Sequence, residues 1–159
     1  MKPDIRILLH NIRSAHNVGS IFRTSDAIGV SRVYLSGYSP LPLDKFGRPV
    51  KEIAKTALGG ELSIPWEGIK NTTRLIAKLK AERFTVVAIE QDTRAIDYKV
   101  FTPNARTIVL VGNEVLGLSK ALKSHADTII DIPMAGKKES LNVSVAYGIA
   151  MFRMFDRAI

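Results

Sequence analysis

Three stretches carry residue types that could do chemistry. In IVLVGNEVLGLSK, residues 108–120, an apolar run meets Gly112, and a second glycine follows at Gly117. The phosphate-binding pattern G-x-x-x-x-G-K-[ST] also joins a strand to a helix. Here Leu118 stands where that pattern needs lysine, and Lys120 comes two places late. Glu114 lies between the glycines, where a carboxylate would repel a triphosphate. A nucleotide cradle is therefore disfavoured. Loops at the carboxyl ends of parallel strands still gather ligands, so the stretch stays a candidate beside the plainer reading of a ligand-free turn.

The second stretch, IPMAGKKESLNVSVA (132–146), is an irregular loop running into an apolar helix. Ser140 and Asn142 stand near that helix start, where free N–H groups can hold a ligand, although Ser140 also fits a simple N-cap. The third, NIRSAHNVGSIFRTSDAIGV (11–30), places Arg13, Asn17, Gly19 and Arg23 around the opening of a helix. Such residues suit a phosphate, but a surface arginine is more often only solvated. Asn17 and Arg23 are six apart and do not share a helical face.

Other chemistries drop out. The chain has no cysteine, so disulfides, thiolate nucleophiles and cysteine metal sites are excluded. His10, His16 and His125 have no metal-ligand spacing, and G-x-S-x-G is absent. We expect no metal.

The elements that must position these loops alternate. Apolar runs at 5–10, 31–37, 62–66, 85–90, 107–111 and 128–133 read as strands. Helical spacing covers 17–28, 50–60, 71–82, 119–125 and 141–155, while three prolines and a glycine make 38–49 a loop. Several strands lack alternation, as expected when both sheet faces are covered. The expectation is a single α/β domain over 1–159, a mostly parallel sheet flanked by helices, with no second domain. The last helix is apolar on two stripes: Leu141, Val145, Ile149 and Phe152 on one, Val143, Tyr147, Met151 and Met154 on the other. Either it is central to the core or its second face meets another subunit.

At 159 residues, with 46% hydrophobic and 24% charged residues, the composition is that of a soluble globular chain. No apolar run is long enough to span a bilayer and no secretory segment stands at the start, so a cytoplasmic address is expected. Twenty-three basic against 15 acidic residues give a net charge of +8, which suits a polyanionic partner.

Together, the three stretches resemble, in order, the three motifs of the SPOUT superfamily of methyltransferases, in its SpoU or TrmH branch. They extend from Asn11 to Phe152. The resemblance implies transfer of a methyl group from S-adenosyl-L-methionine to a ribose 2′-hydroxyl of RNA, leaving S-adenosyl-L-homocysteine. It also implies a deep trefoil knot built from the second and third stretches, an exception to unknotted connectivity. By match, Gly112, Ile132, Met134, Ser140 and Leu141 would line the cofactor pocket, with Val111 and Asn113 beside them and Ala88, Ile89 and Glu90 at the preceding strand end. Arg23, Asn17, Glu114, Ser140 and Asn142 match the family's functional polar positions. There Arg23 is assigned to activating the hydroxyl; a free guanidinium is a poor base, so it either works with an RNA phosphate or only clamps it. The resemblance further implies a homodimer through the last helix and the first stretch. Transfer RNA is the favoured substrate, ribosomal RNA the alternative; a non-catalytic RNA-binding relative is the competing function.

Overall fold

The computed structural model describes residues 2–156; Met1 and residues 157–159, the ends of the expected domain, lie outside the described residues. Seven strands form one sheet: β1 (Asp4–His10), β2 (Arg32–Ser36), β3 (Trp66–Ile69), β4 (Thr85–Ile89), β5 (Ile96–Asp97), β6 (Arg106–Val111) and β7 (Thr128–Asp131). Their spatial order is β3-β2-β1-β6-β4-β7-β5. Every pairing is parallel, so the sheet is wholly rather than mostly parallel.

The period-two geometry of a strand sorts these apolar runs onto two faces. Ile7 and Leu9 of β1, Val87 of β4, and Val109 and Val111 of β6 face one core. That core is closed by α1 (Ala15–Ile28), α2 (Lys51–Ala57) and α6 (Val143–Phe155). Leu8, Val86, Ala88, Ile108 and Leu110 face the other, under α4 (Thr72–Ala81) and α5 (Lys120–Ser124). Burial on both sides is why the central strands read as unbroken apolar runs. Helices α1 and α6 are locked by a buried hydrogen bond of 2.6 Å between Ser25 Oγ and Tyr147 Oη. Burial lifts the Tyr147 phenol above its ordinary range and keeps it protonated.

Three local expectations fail. The strand expected at 62–66 lies later, at Trp66–Ile69, because 60–63 form a helical turn, α3 (Gly60–Ser63). The left-handed pair Leu58 and Gly59 (φ 49° and 94°) ends α2 early and starts that turn. Pro65 forces extension only afterwards, and its carbonyl accepts from Val33 N at 3.0 Å. The two-residue strand β5 is too short to leave a periodic signal. The last helix starts at Val143, with Asn142 rather than Ser140 as its N-cap. Among the described residues no helix is long and apolar enough to cross a membrane.

Candidate functional site

All three stretches converge at the carboxyl ends of β1, β4, β6 and β7. The turn after β6 is set by its glycines. A Cβ on Gly112 would stand 2.6 Å from both Gly117 C and Leu118 N. Gly117 adopts φ +66°, and a Cβ there would overlap the Glu90 carboxylate, which accepts from Leu118 N at 2.7 Å. Only glycine satisfies either place. Asn113 fastens the turn from within: its Nδ2 donates to Asn11 O at 3.0 Å and Tyr38 Oη at 2.9 Å, while Oδ1 accepts from Val115 N at 2.9 Å and Leu116 N at 2.8 Å.

Glu114 does not point into a phosphate cradle. Its carboxylate reaches the start of α1, accepting from Arg13 N at 3.1 and 2.9 Å, Ser14 N at 3.0 Å and Asn17 Nδ2 at 3.1 Å. Two of these donors are the backbone N–H groups of the N-cap Ser14 and of Arg13 before it, and the third is a side-chain amide in the first turn of α1, a place where negative charge is favoured. Burial pushes the Glu114 carboxyl up, but the hydrogen bonds from Arg13 and Ser14 outweigh it and hold the group below its ordinary value. Asn17 Oδ1 then accepts from Asn142 Nδ2 at 3.2 Å, and Asn142 Oδ1 caps α6 by accepting from Ser144 N at 2.9 Å. The ionised carboxylate thus fixes the orientation of both amides in series.

Beside this chain lies a cavity of about 280 Å³. Its walls include Ile89, Glu90, Val111, Gly112, Asn113, Ile132, Met134, Ser140 and Leu141, along with Gln91, Gly117, Asp131 and Glu139. Of the residues expected there from sequence, Ala88 alone is absent: it is fully buried on the opposite sheet face, against the core under α4 and α5. Gln91, Asp131 and Glu139 were missed, since nothing in their spacing marks them. The described lining includes four acidic residues (Glu90, Glu114, Asp131, Glu139), of which the Glu90 and Glu114 carboxylates accept from backbone N–H groups, and no lysine or arginine. In a chain of net charge +8 this is a local inversion of sign, suited to a cationic ligand and adverse to a triphosphate. A second, open hollow is lined by Arg13, Ser14, Asn17, Glu114 and Val115. Glu114 and Val115 belong to both, so one turn separates the two spaces.

Asn17, Glu114 and Asn142 are therefore brought together, and Ser140 lies on the cavity wall nearby. Arg23 is not with them. It is exposed on α1 and lines neither space.

Comparison with known proteins agrees with this geometry. Residues 4–152 match the SpoU rRNA Methylase family. A TrmH-family protein of Staphylococcus haemolyticus is 31% identical over 95% of this chain and 58% of its own length. The 23S rRNA (guanosine-2′-O-)-methyltransferase RlmB of Pseudomonas syringae is 31% identical over 94% of this chain and 57% of its own. The chain thus spans less than two thirds of the curated relatives it matches. Among solved structures, the AdoMet-bound rRNA methyltransferase of Sinorhizobium meliloti superposes with a TM-score of 0.84 at 30% identity. That match covers 96% of this chain and 56% of that one. The A. aeolicus TrmH/SpoU tRNA modifying enzyme gives 0.82 at 28% identity, covering 96% of this chain and 74% of that one. With a match that runs almost end to end and a parallel sheet of the same architecture, the chain belongs to the SpoU rRNA methylase family, in its SpoU/TrmH branch.

Proposed function

We propose that this chain is a methyltransferase that moves a methyl group from S-adenosyl-L-methionine to a ribose 2′-hydroxyl of RNA. The observation that carries the reading is the pairing of an acidic, partly apolar cavity with an open hollow across a single turn. The donor supplies an electrophilic methyl carbon on a sulfonium, a cation matched by the carboxylates of the cavity. Ile132, Met134 and Leu141 offer apolar wall to its uncharged parts. The acceptor ribose would lie in the hollow beside Asn17. As the new O–C bond forms, the C–S bond breaks, the sulfur leaves as a neutral thioether, and the hydroxyl proton must go elsewhere. Such a displacement needs little acid catalysis, so alignment supplies most of the rate.

In this reading Glu114 and Asn142 hold Asn17 in a fixed orientation, and Ser140 contacts the donor. Arg23 serves a second copy's site, taking the proton with an RNA phosphate or clamping that phosphate; its exposure away from its own chain's cavity supports this. The dimer is supported by Val145, Ile149 and Phe152, which leave one stripe of α6 between 39% and 48% exposed while Tyr147, Met151 and Met154 are buried, and by Leu141, exposed just before the helix. We further propose that the turn after β6 and the loop after β7 form the trefoil knot, and that the protein works in the cytoplasm. For the substrate, the RlmB relatives are named for 23S rRNA, which favours ribosomal RNA over the transfer RNA expected from sequence.

Calorimetry and methyl transfer test the proposal together. S-adenosyl-L-homocysteine should bind and ATP should not. Tritiated methyl from the donor should enter total rRNA and protect the modified linkage from alkali. Binding of ATP alone overturns the reading; cofactor binding with no transfer to rRNA or tRNA would leave a non-catalytic RNA-binding relative.

A further inference from the structure

The loop between β2 and α2 makes a turn that holds an aromatic ring out in water. Residues 43–49 fold back on themselves through an antiparallel bridge between Leu43 and Pro49. Asp44 organises the tip: its Oδ1 accepts from Phe46 N at 2.8 Å and Arg48 N at 3.0 Å, and its Oδ2 accepts from Arg48 Nε at 2.8 Å. Asp44 N donates to Arg48 O and Gly47 N to Asp44 O, both at 2.9 Å. Gly47 supplies the left-handed conformation, φ +74°. These hydrogen bonds close the turn and leave Phe46 67% exposed. Two cations attend that ring: Lys45 Nζ lies 5.0 Å and Arg48 Cζ 4.9 Å from its centroid. At the near end of the same loop Tyr38 is 57% exposed, and its hydroxyl is held by Asn113 of the turn that divides the two site spaces.

We propose that this loop is a stacking platform for unpaired RNA bases, with Phe46 as the principal face and Tyr38 as a second one nearer the site. The inference rests on the RNA methyltransferase reading. An aromatic ring flanked by cations fits a nucleobase with its phosphate, because base stacking and backbone attraction then act on one nucleotide. Preorganising the turn through Asp44 removes the cost of ordering it on binding. Stacking needs bases that are not already stacked in a duplex, so the partner is a single-stranded loop or bulge.

The test measures binding of a short fluorescein-labelled single-stranded RNA of mixed sequence, and of the same RNA annealed to its complement. Phe46→Ala should weaken single-strand binding about tenfold and leave duplex binding unchanged, while Phe46→Trp should restore it. Lys45→Ala should lower the slope of log K against log salt by about one. S-adenosyl-L-homocysteine affinity serves as the check on the fold. Equal loss on single strand and duplex, no loss with Phe46→Ala, or a change of sedimentation instead of RNA affinity overturns the platform. If the unaltered protein binds neither RNA nor S-adenosyl-L-homocysteine, the underlying function fails instead.

Discussion

The two loops that face each other across the cavity are built in opposite ways. The turn after β6, residues 112–118, is over-determined: two obligatory glycines, four hydrogen bonds from Asn113, and the Glu114 carboxylate clamped on the start of α1. The loop after β7 is exposed from Ala135 to Asn142. Among the described residues, stretch 132–141 is held by one hydrogen bond, from the Gln91 side chain to Glu139 O. One wall is braced by its own hydrogen bonds; the other is held by few. In the methyl-transfer reading proposed above, aligning three atoms needs at least one fixed reference, and a loosely held opposite wall would let the donor enter and the spent product leave.

Gly112→Ala should break the rigid wall most severely. The added Cβ meets backbone, which cannot swing aside, so we expect a loss of about 3 kcal/mol in urea unfolding and no measurable S-adenosyl-L-homocysteine binding. Glu114→Gln comes next, at about 1–2 kcal/mol, because neutral acceptors replace charge-assisted ones. Its pH dependence has a defined sign. Glu114 is ionised more readily folded than unfolded, so its contribution is present above the ordinary glutamate value of 4.5 and is lost as pH falls through the lower folded value. The stability gap between wild type and Glu114→Gln should therefore close on acidification below about pH 4.5; a constant gap would show that charge is not the cause. Asn142→Ala removes the cap of α6 and the brace on Asn17, and should cost about 1 kcal/mol with a larger proportional fall in methyl transfer than in cofactor affinity. Gly136→Ala, on the open wall, meets nothing within 4 Å and should change stability by less than about 0.5 kcal/mol. A large effect there would mean that both walls are rigid, and the contrast would fall.

The alternation of apolar runs with helical spacing marked an α/β sheet, and the three stretches marked residues that the fold brings together at one end of it. Both were legible because burial on two faces and glycine at close approaches leave direct traces in residue type. Strand order left none: β6 lies between β1 and β4 through long-range pairing, which no local pattern encodes. The placement of Trp66–Ile69 and of β5 was hidden for a related reason, since short edge strands are selected by their neighbours more than by their own propensity.

For the site, the sequence by itself determined which residues were available: two glycines with a carboxylate between them, asparagines at the starts of two helices, and a basic excess. It could not say that Glu114 turns toward Arg13 and Ser14, residues 101 and 100 positions away, or that Ala88 faces the opposite core. Nor could it say that carboxylates gather in one cavity of a basic chain. Those outcomes are set by which strand ends the parallel sheet brings together, and electrostatic energy depends on distances that only the folded chain creates.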